Sequence, residues 1–283
     1  MLQIDETPIS YLDAGHGSTR NGYLWIARSP KTGGVYYHWA TSRAKDELLE
    51  LLNLIDPKAA KKAEKKQRTI QCDGYKAYEA VAKRYHQIKL TACLAHIRRK
   101  FLPPKGAQPP AWVTELLTQI QDLYSIERTL KQQNSPPERR RALRQKEARP
   151  ICEQIKQTLD DQNLRHRPKS QLGMALSYAL NQWSKFTAYL EDGRLEIDNN
   201  GAENAVRPTK LGAKNWLFVG HAEAGHQSAT IYTILQNCKA VGLNPRTYLE
   251  HVFEALKTQP ATELTPSKVA RTLQAKLASK LAA

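Results

Sequence analysis

The stretch Thr69-Ile70-Gln71-Cys72-Asp73-Gly74-Tyr75 decides the fold of this 283-residue chain. Its first part predicts a short buried strand, residues 76–85 have the pattern of a helix, and residues 89–94 predict a second strand. Alternation of strands and helices is typical of α/β proteins, in which ligands gather at the carboxyl ends of strands, where Asp73 stands. Asp-Gly is also a common turn dipeptide, but a hairpin would need a strand directly afterwards. For Asp73 a functional and a purely structural role therefore both stay open.

On the N-terminal side of this stretch, residues 2–42 predict three strands and residues 44–55 a helix, followed by a lysine-rich, solvated run up to Arg68. On the other side, apolar residues at helical spacing predict a helical subdomain over residues 103–190. Amphipathic helices follow. We therefore expect a mixed α/β sheet flanked by helices: residues 1–102 and 191–260 would form the core, 103–190 a helical insertion and 261–283 a peripheral tail.

Charge and cysteine content restrict the class of protein. Lysine and arginine outnumber aspartate and glutamate 43 to 27, which gives a formal net charge of +16 and favours a polyanionic partner, nucleic acid first. The four cysteines are widely spaced and form no C-x-x-C pair, as expected of free thiols in a reducing compartment. No apolar run is long enough to span a bilayer, and the N-terminus has no signal-peptide pattern. The sequence thus predicts a cytoplasmic protein without a membrane anchor.

Two further carboxylates could carry chemistry with Asp73. Phosphodiester cleavage can use two Mg²⁺ or Mn²⁺ ions, which need oxygen ligands from strand ends and a nearby helix. Asp5 lies inside the first predicted strand, although viewed alone it fits a frayed, exposed terminal acid better. Glu203 follows Asn200 at the spacing of a helix capping box, and alone it favours that structural role. Arg207 would share a helical face with Glu203, and Pro208 predicts a helix end or kink.

Cysteine, histidine and basic residues give weaker signals. Cys93 and His96 have the spacing of half a zinc site, but no matching pair exists, so His96 is better interpreted as a structural histidine that leads into the basic cluster Arg98-Arg99-Lys100. The run 128–149 contains eight arginines and lysines, which predicts either contact with a DNA backbone or a solvated helix face.

Taken together, five segments resemble the IS66 family of bacterial insertion-sequence transposases. They occur in the same order along nearly the whole chain: Asp5-Glu6-Thr7-Pro8, Cys72-Asp73-Gly74-Tyr75, Cys93-Leu94-Ala95-His96-Ile97-Arg98-Arg99, Asn199-Asn200 through Arg207-Pro208, and Lys214-Asn215-Trp216-Leu217-Phe218.

The resemblance implies a fold, a site and an activity. The fold would be a ribonuclease-H-like core with a helical insertion, and Asp5, Asp73 and Glu203 would hold two Mg²⁺ or Mn²⁺ ions. Activated water would nick the transposon end, and the freed 3′ hydroxyl would attack target DNA. Cys93 and His96 would be architectural. The DNA-binding residues would be Arg98, Arg99, Lys100, Arg207 and Lys214.

The resemblance also implies partners and a location. These are double-stranded DNA at the transposon ends and target, a homodimer or larger synaptic complex, and the nucleoid of a bacterial cytoplasm.

The chain departs from the family in length, because family members usually carry an N-terminal DNA-binding region before the first aspartate. We therefore expect a truncated transposase. Asn204 and Ala213 also stand where many members have arginine. Two alternatives stay open, an inactive DNA-binding remnant and a ribonuclease-H-like repair nuclease, although the segment 199–218 argues against the nuclease.

Overall fold

A computed structural model describes residues 1–13, 15, 17–55 and 67–282, with side chains through residue 275. Most of the lysine-rich run predicted to be solvated, residues 56–66, lies outside the described residues.

The strands form one mixed sheet. In chain order they are β1 (Leu2–Leu12), β2 (Thr19–Arg28), β3 (Val35–Ala40), β4 (Arg68–Cys72) and β5 (Ile88–Ala92). The sheet order is β3-β2-β1-β4-β5, in which β2 and β3 are antiparallel, whereas β4 is parallel to both β1 and β5. The predicted N-terminal strands and the strand that precedes Asp73 are confirmed.

Helices make up most of the rest. They are α1 (Lys45–Ile55), α2 (Lys76–Arg84), α3 (Leu94–Lys100), α4 (Ala111–Gln132), α5 (Pro137–Leu143), α6 (Arg149–Arg165), α7 (Gln171–Thr187), α8 (Asn200–Trp216), α9 (Ala224–Ala240), α10 (Pro245–Ala255) and α11 (Pro266–Ala282). A π-helical segment, Arg144–Ala148, joins α5 to α6. Within the described ranges, none of these helices is long and apolar enough to cross a lipid bilayer.

The chain divides into two compact units whose sequences interleave. The first, which we call the helical unit, comprises Met1–Gln3 and Ala63–Gly201; the second, the sheet unit, comprises Ile4–Lys62 and Ala202–Ala283. Strand β1 runs from one unit into the other. The division differs from the predicted four segments, whose boundaries stay predictions.

The helical unit has a continuous apolar core. Helices α4, α6 and α7 contribute buried side chains at helical spacing, among them Leu116, Leu123, Ile155 and Leu176. Within this core lies Arg144, which is fully buried and forms an ion pair with Glu127 at 2.7 Å. Its guanidinium also donates to the backbone carbonyls of Tyr189, Asp192 and Leu195.

Arg144 corrects the interpretation of the basic run 128–149. Neither DNA contact nor a solvated face describes this arginine, because its charge is neutralised inside the protein. Arg140 also turns inward and lies 3.1 Å from Glu127 and 3.2 Å from Glu196. Part of the run therefore stabilises the fold.

In the sheet unit, α9 packs on β3. The amide of Asn237 accepts from the Val35 backbone N–H at 3.2 Å and donates to the Val35 carbonyl at 2.6 Å, so the side chain hydrogen-bonds one end of the strand. Close packing also explains Gly225, since a Cβ there would lie 2.1 Å from Cε2 of Trp39.

Candidate active site

Asp73 directly follows β4 in the helical unit. Its Oδ1 accepts the Tyr75 backbone N–H at 2.9 Å, and α2 begins one residue later. The hairpin alternative is wrong, because a helix follows the Asp-Gly pair. This hydrogen bond orients the carboxyl group at the carboxyl end of a parallel strand.

A tyrosine that the sequence analysis did not single out lies next to this aspartate. Tyr178 on α7 packs against Gly74, where a Cβ would lie 2.9 Å from the tyrosine Cε2. Burial, followed by the charge of Asp73, raises the pKa of Tyr178 to about 12, so its hydroxyl keeps its proton at neutral pH. The Lys100 ammonium lies 5.1 Å from the centre of the same ring. Lys100, predicted as a DNA contact, thus lies beside the ring that packs on the Asp73 loop.

Two buried glutamines connect β1, β4 and the segment before α8. Gln3 Nε2 donates to Gln71 Oε1 at 3.0 Å and to the carbonyl of Asp198 at 2.9 Å. Gln71 Nε2 donates to the carbonyl of Glu196 at 2.8 Å. Because both side chains are almost fully buried, an unsatisfied amide here would be costly. The pair therefore fixes the strand that leads to Asp73 and the chain that leads into α8.

Cys93 also hydrogen-bonds the segment before α8. Its Sγ accepts the Asn199 backbone N–H at 3.1 Å, and the Leu94 N–H donates to the carbonyl of Ile197 at 3.2 Å. Cys93 is 1% exposed, whereas His96 is half-buried one helical turn further along α3. These contacts are what an architectural Cys93 would make.

The basic cluster lies in the last turn of α3. Arg98 is half-buried, whereas Arg99 and Lys100 are exposed. Three cations at a helix C-terminus also interact favourably with the helix dipole, so they have a structural role as well.

Asp5 lies within β1 in the sheet unit, where its Oδ1 accepts the Glu6 backbone N–H at 3.0 Å. It is half-buried, so the frayed-terminus interpretation is wrong. The neighbouring Glu6 carboxylate is 2% exposed and accepts from the Arg43 guanidinium, with Nε at 2.7 Å.

Glu203 lies in the first turn of α8, also in the sheet unit. Arg207 is one turn further along, on the same face, as predicted. For Pro208 the sequence predicted a helix end or a kink; the helix end is wrong, since α8 continues to Trp216. The Tyr37 hydroxyl donates to the Ala205 carbonyl at 2.6 Å, and the Lys210 ammonium to the Pro8 carbonyl at 2.8 Å, so α8 is attached to β3 and β1.

A basic stripe follows the exposed side of α8. Lys210 falls between the two predicted DNA contacts, Arg207 and Lys214, at spacings of three and four residues, and all three are exposed. Helical spacing alone could have added Lys210 to the predicted set.

The chain is a basic mixed α/β protein with exposed cations along α8, a charge that favours a polyanionic partner. Comparison with known families defines it further. Residues 1–227 match the transposase IS66 family, and residues 233–265 match the IS66 C-terminal element. The chain therefore belongs to the IS66 transposase family, as its resemblance predicted.

Relatives with curated sequences include uncharacterized proteins of Sinorhizobium fredii (strain NBRC 101917 / NGR234). The chain is 28% identical to y4jD over 270 residues, which cover 91% of the chain and 50% of y4jD. It is 29% identical to y4qI over 274 residues, which cover 92% of the chain and 48% of y4qI. The chain thus spans about half the length of these relatives.

Proposed function

We propose that this chain is the catalytic region of a DDE transposase, which cuts DNA at the ends of an insertion sequence and joins them to target DNA. Family membership supports a role in transposition. The observation that carries the chemistry is the strand register. Gln3 pairs with Gln71 on adjacent parallel strands, and each is followed two residues later by an aspartate, Asp5 and Asp73.

In this proposal Asp5, Asp73 and Glu203 hold Mg²⁺ or Mn²⁺, two ions in all. The donor set fits, because hard divalent cations prefer carboxylate oxygens. Each aspartate has one oxygen oriented by a backbone amide, from Glu6 or from Tyr75. When bound, such ions activate a nucleophilic oxygen and stabilise the leaving oxygen of a phosphodiester.

Surrounding residues position this set. The Gln3–Gln71 pair holds β1 and β4 in register, and Cys93 holds the residue before α8, the helix that carries Glu203. We propose a ribonuclease-H-like fold for this core, supported by its mixed sheet with β1 at the centre and by its flanking helices.

Exposed cations would bind the DNA backbone. Arg207, Lys210 and Lys214 on α8, and Arg98, Arg99 and Lys100 on α3, would contact phosphates without reading sequence, because phosphate contacts position a protein and base contacts specify the site. Since two transposon ends must be joined, we propose a homodimer or larger synaptic complex at the nucleoid.

The test is divalent-metal-dependent nicking and strand transfer on labelled DNA that carries the ends of the element. We expect activity with Mg²⁺ or Mn²⁺. Asp73→Asn should lower this activity by about 10²-fold or more, because loss of a group that stabilises transition-state charge has an effect of that size. Asparagine keeps an oxygen for the Tyr75 N–H, so the turn survives. Glu203→Gln should act in the same direction.

The matched control is Asp122→Asn, which changes an exposed carboxylate on α4. It should retain full activity. Equal activity in Asp73→Asn and Asp122→Asn would refute the assigned site. DNA binding without any metal-dependent cleavage would instead indicate a non-catalytic DNA-binding protein.

A further inference from the structure

Three side chains of the sheet unit come together, and none of them is assigned to catalysis. They are His38 on β3 and Glu47 and Glu50 on α1, and each offers a ligand atom within 4.8 Å of the others. The two glutamates are three residues apart, so they share one face of the helix. The cluster combines one imidazole and two carboxylates, which are typical ligands of divalent transition metals.

His38 is the buried member of the cluster. It is 5% exposed, and its Nε2 is buried without a hydrogen-bond partner within the described part of the chain. The nearest carboxylate atom is Oε2 of Glu47, at 4.0 Å, which is too far for a hydrogen bond. A buried polar nitrogen without a partner is costly, so a group that binds between these atoms would lower the free energy of the folded state.

A hydrogen bond orients the other carboxylate oxygen of Glu47, Oε1. Ser42 donates its hydroxyl to Oε1 at 2.8 Å, which leaves Oε2 on the side of His38. Glu47 is partly exposed and Glu50 is exposed, so an ion could enter from solvent. A cation site with the buried His38 as its inner ligand and the two glutamates facing solvent would therefore lie near the protein surface.

The protonation state of His38 also favours the binding of a metal ion. Burial lowers the pKa of His38 and the charge of His226 lowers it further, whereas Glu50 and Glu47 act in the opposite direction. The net shift is downward, so the imidazole is neutral at pH 7, which is the form that binds metal.

We propose that His38, Glu47 and Glu50 bind one divalent transition-metal ion of the Zn²⁺ class. Metal–ligand bonds of about 2.0–2.2 Å in a tetrahedral site place two ligand atoms about 3.3–3.5 Å apart. The 4.0 Å between His38 Nε2 and Glu47 Oε2 would close to that distance by a small shift of the partly exposed Glu47 side chain. A fourth ligand would be water or the exposed His226 on α9. Mg²⁺ is a poorer fit, because it prefers an all-oxygen octahedral shell.

Such an ion would join α1 to β3 and have a structural role. The site uses none of the carboxylates assigned to strand cleavage, so it stands or falls independently of the proposed activity.

The test is titration of the purified full chain with Co²⁺, whose absorption spectrum reports its ligands, and then competition with Zn²⁺. We expect a bound equivalent that shows the visible bands of nitrogen and oxygen ligation and that Zn²⁺ displaces. In Glu47→Gln/Glu50→Gln the affinity of this equivalent should fall at least about tenfold, which corresponds to ~1.4 kcal/mol of lost binding free energy. The substituted side chains lie at the surface, so the variant should fold, which circular dichroism checks.

Glu254→Gln is the matched control, because Glu254 is an exposed glutamate of the same unit on another helix. It should bind Co²⁺ like the native chain. An absent Co²⁺ equivalent or an unchanged titration in the double variant would each overturn the proposal.

Discussion

At the scale of single residues, Gly74 shows how tightly the loop after β4 is packed. A Cβ on this residue would lie 2.9 Å from Cε2 of Tyr178 and 3.0 Å from Nε2 of Gln182. Gly74→Ala should therefore lower the free energy of unfolding by about 1–3 kcal/mol, the usual cost of overpacking. Urea denaturation followed by circular dichroism measures this change.

The control for Gly74→Ala is Gly220→Ala, where a Cβ meets no atom within 4 Å. Its stability should match that of the native chain. If both variants lose the same stability, contact with Tyr178 is not the reason for the glycine.

The same residues show what the sequence could predict about the site. Asp73 could be found because a strand-like stretch ends at it and a helix-like pattern follows, and both patterns are local. Tyr178 gave no such signal, since an aromatic residue on an amphipathic helix normally indicates core packing. Its contact with Gly74 depends on how α7 packs on the sheet, which periodicity does not encode.

At the scale of elements, the join between α5 and α6 depends on one buried charge. Arg144→Met keeps much of the side-chain volume. It leaves Glu127, itself 8% exposed, with Arg140 as its one ionic partner among the residues that the structure describes, and three backbone carbonyls lose a donor. Breaking a buried pair in this way costs about 3–5 kcal/mol. We expect a loss near the lower end, because Arg140 remains, as measured by chemical denaturation.

Lys146→Met is the control, since Lys146 is an exposed cation two residues further along the same π-helical segment. Exposed charges contribute little to stability, so the change should stay within about 0.5 kcal/mol. Comparable losses in the two variants would mean that Arg144 is not a structural ion-pair partner.

Arg144 and Pro208 also mark where predicting elements from sequence fails. Composition identified the basic run but could not distinguish an inward arginine from an outward one, because Glu127 lies on another helix. Pro208 predicted a helix end or a kink, but α8 does not end there. The missing N–H costs one helical hydrogen bond, which burial of Ala202, Ala205 and Thr209 along α8 can offset. By contrast, α1 and β4 were predicted to within about one residue, because each has a clear apolar period.

At the scale of the whole molecule, the charge of +16 predicts salt-dependent DNA binding. If the stripe Arg207, Lys210 and Lys214 contacts phosphates, replacing all three with glutamine should reduce the slope of log K against log salt by about 0.9 for each lost contact, or roughly 2–3 in total. Fluorescence anisotropy with one duplex at several salt concentrations measures the slope.

A second triple variant distinguishes an effect of net charge on the salt slope from an effect of local contact. Lys239→Gln/Lys257→Gln/Lys268→Gln removes the same number of exposed cations from the same unit. Because those lysines lie on α9, after α10 and on α11, the variant lowers the overall field but leaves the stripe intact. Its slope should stay close to that of the native chain. Equal reductions in the two triple variants would show that DNA responds to the total charge of the molecule, and α8 would then lose its assigned role.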